Sequence, residues 1–154
     1  MRGAWSRAGA VLATVLFIDQ VTKALVRGGV ELGSEDPVFP LVTLVHSRNR
    51  GVAFGAFEDQ TAVVVVVITL AIGALVAFFA THRDRPLIWL PTGLLAGGAI
   101  GNIVDRIRDG YVTDFIKLPS WPAFNVADMA ITVGVVALVL VVERSGDDRA
   151  PQHA

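Results

Sequence analysis

Apolar and polar positions fall into long blocks along this chain rather than into narrow stripes. Residues 61–80 read TAVVVVVITLAIGALVAFFA, 20 residues without a charge. A helix over this block is apolar on every side, which suits lipid and not the surface of a small soluble fold. Residues 86–104 form a second uncharged block, 19 residues long. Pro86 suits a helix start, because the first turn has no partner for its N–H. Gly93, Gly97 and Gly101 recur every fourth residue there, which lines one face and predicts close approach by a neighbouring helix. Residues 129–142 are uncharged, and the block reaches spanning length as 124–142 by taking in Asn125 and Asp128. Residues 8–26 form a fourth block, interrupted by Asp19, Gln20 and Lys23. Arg2 and Arg7 ahead of it look like the front of a signal peptide, but Asp19-Gln20 breaks the run and no small-x-small site closes it. The pattern therefore predicts four transmembrane helices, over 8–26, 61–80, 86–104 and 124–142, in a single membrane domain covering 1–154.

The connections carry weaker signals. Residues 38–45 (VFPLVTLV) are β-branched and apolar, and Pro40 argues against a central strand. A short edge β-element at the membrane surface is expected there, and residues 51–57 are again apolar and aromatic. The 105–123 connection holds Gly110, Pro119 and Pro122 and reads as irregular, with an extended piece over 111–116. The tail, 143–154, is polar and reads as frayed.

Composition narrows the chemistry. Hydrophobic residues make up 53% of the 154 and charged residues 18%, with a formal net charge of -1. That balance offers nothing to nucleic acid and makes a soluble enzyme improbable. The absence of Cys excludes thiolate nucleophiles and disulfides. The three His, at 46, 82 and 153, are scattered, so neither a metal site nor a cofactor is expected. His82 and His153 read as solvated. With both ends on one side of the bilayer, basic residues divide six against six, and their density weakly favours cytoplasmic termini.

Ionisable groups at membrane depth each need a reason. Asp19 and Lys23 sit at i and i+4 and read first as a structural ion pair. Asp105 and Asp109 lie beside Arg106 and Arg108 and read as a surface charge cluster. Asp114, in VTDF, and Asp128, in FNVAD, flank a connection short enough to fold back on itself. Two carboxylates brought together share a proton and titrate as a unit. One can then take a proton from water while the other gives one to a carbonyl oxygen, as in aspartic proteases. The plain alternative is that Asn125 or Asp128 merely caps a helix. A small transporter or proton path built on the same carboxylates is a second alternative.

Four blocks together resemble a known family. DQVTKALV (19–26), NRGVAFG (49–55), GGAIGNIVDRIRDGYVTDFI (97–116) and FNVADMAITVG (124–134) are similar to those of lipoprotein signal peptidase, also called signal peptidase II. The likeness runs from about residue 16 to 142. It implies a four-helix membrane aspartyl peptidase of the bacterial cytoplasmic membrane, with both termini cytoplasmic and a small extracytoplasmic β-cradle. It puts the catalytic pair on Asp114 and Asp128, near the extracytoplasmic face. It puts a polar surround, orienting the pair and holding substrate backbone, on Asn49, Gly51, Asn102, Asp105, Arg106 and Asn125. Asp19 and Lys23 take a supporting role. Arg50 and Gly55 depart from the residues frequent at their positions. The implied reaction is hydrolysis of a prolipoprotein before a diacylglyceryl-modified Cys, by a monomer in contact with membrane lipid.

Overall fold

The computed structural model describes residues 2–51 and 60–147. The chain runs α1 (Arg2–Gly29), β1 (Glu35–Phe39), β2 (Val42–Asn49), α2 (Thr61–His82), α3 (Trp89–Asp109), β3 (Val112–Lys117) and α4 (Val126–Asp147). Each apolar block thus becomes a helix. α1 and α4 extend beyond the predicted blocks, and α4 carries regular structure through residues 143–147, which had read as frayed. The apolar and aromatic stretch 51–57 lies, beyond Gly51, outside the described residues.

Among the described residues, α1, α2 and α4 are long and apolar enough to cross a membrane. α3 is not, although its 21 residues are long enough. Its composition is diluted by Pro91, four glycines, Asn102, Asp105 and Arg106, all buried. These residues face protein, so the helix needs less apolar surface than one facing lipid.

α3 is the centre of the bundle, and its glycines explain how. A Cβ on Gly93 would lie 2.6 Å from Val11 Cβ, and one on Gly97 would lie 2.9 Å from the Leu12 carbonyl oxygen. A Cβ on Gly98 would meet the Ala127 carbonyl oxygen at 2.5 Å. α1 and α4 therefore press against α3 where only hydrogen atoms fit. Helix α3 starts at Trp89 rather than at Pro86, because Leu87 takes a left-handed conformation (φ 61) and interrupts the turn. Pro91 falls in the first turn instead, where its missing N–H is harmless.

The three strands form an antiparallel sheet in the order β1-β2-β3, with α2 and α3 inserted between β2 and β3. The apolar stretch 38–45 is not one strand but the bend of a hairpin, with Pro40 and Leu41 (φ 68) between β1 and β2. β1 is exposed along its whole length and contains Pro37, as an edge strand tolerates. β3 realises the predicted extended piece, and its first four residues are buried. Ser47 on β2 stands opposite Asp114 on β3. The end of the bundle remote from the sheet is closed by Ala8, Phe79 and Ile88, with the Trp5 ring edge-on to Phe79 at 4.6 Å. His82 is half-buried there and stacks on Phe78 at 4.2 Å, so it is not the solvated side chain the sequence suggested.

Candidate active site

Asp114 lies in the middle of β3 and is 2% exposed. Its two oxygens are taken by two amides. Asn49, at the end of β2, donates Nδ2–H to Oδ2 at 3.0 Å. Asn125 donates Nδ2–H to Oδ1 at 2.7 Å. Burial, and next the negative charge of Asp128, push the Asp114 carboxyl up to about 7, against the opposing pull of the two amides and of Lys23.

Asp128 sits in the first turn of α4 and is half-buried. Asn102 on α3 donates Nδ2–H to its Oδ1 at 2.8 Å. The Asn125 backbone N–H reaches its Oδ2 at 3.2 Å, while Asn125 Oδ1 accepts the Asp128 backbone N–H at 3.0 Å. This is a reciprocal helix cap, so the capping reading of the sequence was right about the local bonds. It does not exclude the other reading, because the same Asn125 side chain also holds Asp114. One residue ties the two carboxylates together.

Behind the pair lies a buried ionic group. Lys23 Nζ reaches Asp19 Oδ2 at 2.9 Å, Asp105 Oδ2 at 3.3 Å and Asn102 Oδ1 at 2.9 Å. Lys23, Asp19 and Asp105 are each fully buried. Three acceptors thus meet the three hydrogens of one ammonium. Asp19 Oδ1 also accepts the Ala127 backbone N–H at 2.9 Å, at the start of α4. Asp105 Oδ2 accepts the Thr113 backbone N–H at 3.2 Å, beside Asp114. The group therefore fixes both α4 and β3 relative to α1 and α3.

Arg106 is buried as well. Its Nη2 donates to the Gly51 carbonyl oxygen at 2.6 Å and its Nη1 to the Asn102 carbonyl oxygen at 3.3 Å. Its Nε–H is buried without a partner among the described residues. Gly51 in turn donates its backbone N–H to Asn49 Oδ1 at 3.0 Å. A cavity of about 620 Å³ opens over the two carboxylates and is lined by Asn49, Asn102, Arg106, Trp121, Ile68 and Ile131 among others. Polar donors thus cluster at one part of a wall that α2 and α4 complete with apolar side chains.

Every residue singled out from the sequence falls in this region: Asp114, Asp128, Asn49, Gly51, Asn102, Asp105, Arg106, Asn125, Asp19 and Lys23. Asp105 requires a correction. It is not at the surface but fully buried against Lys23, although Arg108 still reaches it at 3.6 Å from the exposed side. The Arg108–Asp109 pair, at 2.7 Å, is the exposed part of the expected charge cluster. Sequence reasoning missed Gln20, whose Nε2 donates to Asp19 Oδ2, Asp105 Oδ1 and the Gly101 carbonyl oxygen at 3.1–3.2 Å. It also missed Arg27, which donates to Thr113 Oγ1 at 3.1 Å. Positions 19, 20, 23 and 27 share one helical face, and that spacing was the available signal.

Fold and site together define a helical membrane protein with two amide-held carboxylates beside a cavity. Comparison with known proteins agrees. The profile of the family described as signal peptidase (SPase) II matches residues 11–143, and the chain belongs to that family. It is 45% identical to the lipoprotein signal peptidase of Moorella thermoacetica, over 80% of this chain and 84% of that protein. It is 35% identical to the lipoprotein signal peptidase of Halothermothrix orenii, over 89% of this chain and 97% of that protein. Two solved structures of bacterial membrane enzymes, determined in meso, are similar throughout. One is 27% identical with a TM-score of 0.87, covering 96% of this chain and 93% of the other. The second is 29% identical with a TM-score of 0.80, covering 88% and 91%. The transporter alternative is not favoured by any of these matches.

Proposed function

We propose that this protein is an aspartic endopeptidase that cuts prolipoproteins before a diacylglyceryl-modified Cys, with Asp114 and Asp128 as the catalytic pair. The observation that carries the reading is the double attachment of Asn125. Its side chain donates to Asp114 and accepts from the Asp128 backbone, so both carboxyls are presented to one cavity.

One carboxyl of the pair is ionised and the other protonated. The ionised carboxylate removes a proton from a water molecule, whose oxygen bonds to the scissile carbonyl carbon. The protonated carboxyl gives its proton to the carbonyl oxygen, and a neutral gem-diol forms. One gem-diol hydroxyl then returns its proton to a carboxylate as the carbonyl re-forms. The C–N bond breaks, the other carboxyl protonates the leaving amine, and the pair is restored. Arg106 and Asn49, which line the cavity, are the residues that hold substrate backbone beside the pair.

In this reading all four helices cross the bacterial cytoplasmic membrane, within one domain. Both termini are cytoplasmic, and the sheet forms a cradle at the extracytoplasmic face. The protein acts as a monomer. The substrate's diacylglyceryl group stays in surrounding lipid, so the scissile bond arrives already positioned at the interface and loses less entropy on binding.

The test uses purified full-length protein in detergent with a synthetic diacylated lipobox peptide. Asp114→Asn and Asp128→Asn should each fold and lose at least ~10³-fold in kcat. Full activity in either variant ends the dyad reading. Cleavage of an unlipidated peptide at the same kcat/KM ends the substrate reading.

A further inference from the structure

Three asparagines present amide nitrogens to the two carboxylates: Asn49 and Asn125 to Asp114, and Asn102 to Asp128. An amide is two-ended. Turned over, each would set an oxygen against a carboxylate and repel it. What decides its direction is the donor on its far side. For Asn49 that donor is the Gly51 backbone N–H, and for Asn125 it is the Asp128 backbone N–H. For Asn102 it is the ammonium of Lys23, at 2.9 Å and 79 residues away in sequence, with Asn125 Nδ2 a longer second donor at 3.2 Å. Two of the amides are oriented by their own neighbourhoods. The third is oriented by a charge from another helix.

We propose that Lys23 is a positioning residue for Asp128: its ammonium fixes the Asn102 amide with nitrogen toward the Asp128 carboxylate, and so keeps a donor there through the reaction. The inference rests on the dyad reading above. The simpler role for Lys23 is to neutralise buried acids, and the geometry asks for more than that. Lys23 faces Asp19 from its own helix and Asp105 and Asn102 from α3. Asp105 is also approached by Arg27 at 3.7 Å and Arg108 at 3.6 Å. The bond to Asn102 is shorter than that to Asp105, although only Asp105 carries a charge. Beyond Asn102 stands Asp128 on α4, and the Lys23 charge also acts on Asp114 from β3.

The experiment is a double-mutant cycle on the full-length protein, reading kcat and KM separately with the diacylated peptide. Lys23→Met should lower kcat by at least ~10-fold while KM stays within ~2-fold, because the donor acts on the reacting carboxyl and not on substrate. The alkaline limb of the kcat–pH profile should move upward, since a cation is removed from the pair. In an Asn102→Ala background the same substitution should change kcat by less than ~3-fold, because the residue through which it acts is gone. A neutraliser acting on folding alone would cost the same factor in both backgrounds, and that result overturns the proposal.

Lys23→Met leaves Asp19 and Asp105 without their cation and risks misfolding. Asp19→Asn with Lys23→Met keeps the formal charge of the group, and it is compared with Asp19→Asn alone. Equal kcat and equal pH limbs in these two chains also overturn the proposal. Failure here leaves the dyad reading standing. That reading falls only if Asp114→Asn or Asp128→Asn stays active.

Discussion

Asn125 and Asp128 cap one another at the start of α4, through bonds of 3.0 Å and 3.2 Å running in opposite directions. A helix cap and a bridge between the two carboxyls are thus built from one asparagine, which also reaches Asp114 at 2.7 Å. The two duties can be separated. Asn125→Ala removes both, costing ~1 kcal/mol of stability through the cap and more than ~10-fold in kcat. Asn125→Asp keeps the cap acceptor but sets a third carboxyl beside Asp114. It should recover most of the thermal stability in detergent and little of the activity. Recovery of activity in parallel with stability would mean that Asn125 only caps.

The Asp114 carboxyl, held at about 7 by burial and by Asp128, makes a pH prediction for which the sign matters. Its folded-state pKa lies above the ordinary carboxylate value of about 4. The folded protein therefore binds the proton more tightly than the unfolded chain. The stability from this group is complete below the ordinary value and is lost as pH rises through about 7. If Asp114 and Asp128 act as the proposed dyad with one shared proton, kcat should fall on the alkaline side over the same range. Thermal unfolding in detergent and kcat, both followed across the neutral region, check this. Asp114→Asn should flatten the stability profile, and an unchanged profile in that variant would remove Asp114 as its source.

What the sequence made legible depended on which physical rule spoke. The all-round apolar block at 61–80 could only be α2, because a polar stripe for a soluble surface is missing. The ladder of Gly93, Gly97 and Gly101 announced close packing on α3, and the Cβ positions at all three, each crowded by α1, bear that out. Pro40 itself lies outside any strand, but the edge element expected over 38–45 was only half right: 38–39 end the edge strand β1, while 42–45 open β2, the middle strand, because Leu41 takes a left-handed conformation and turns the chain in a way that nothing in its side chain advertises. Asp105 was misread for a related reason. Neighbouring Arg106 and Arg108 suggested solvent, but exposure of a helical residue is set by which helix it faces. Long-range pairing across 79 and more residues, such as Lys23 with Asn102 or Asp19 with the Ala127 N–H, has no local signature. Only the family resemblance placed those residues in one site.

Close packing at Gly98 yields a second pair of variants. A Cβ there would lie 2.5 Å from the Ala127 carbonyl oxygen and 2.8 Å from Ile131 Cγ1. Backbone cannot swing aside as a flexible side chain can, so Gly98→Ala should push α4 off α3. The expected cost is ~1–3 kcal/mol, with a larger loss of activity because Asp128 follows Ala127 directly. Gly73, on α2, has nothing within 4 Å of its Cβ position. Gly73→Ala should leave activity intact and hold or raise stability by up to ~1 kcal/mol. Melting temperatures and kcat for the two variants, measured side by side, decide whether contact rather than helix propensity governs.

Arg106 supplies the last prediction, and it turns on shape rather than charge. Its guanidinium spans two carbonyl oxygens, Gly51 at 2.6 Å and Asn102 at 3.3 Å. Gly51 then orients Asn49, and Asn49 holds Asp114. Lysine would preserve the positive charge near the pair but offers a single ammonium in place of a planar fork. Arg106→Lys should therefore fold and keep the field on Asp114 while releasing the Gly51–Asn49 arm. Loss of the Asn49 bond removes an interaction that favours the ionised carboxyl, so the alkaline limb of kcat should shift upward and kcat should fall by ~10-fold or more. If Arg106 served only through its charge, Arg106→Lys would match the parent in both rate and pH limb, while Arg106→Met would lose them.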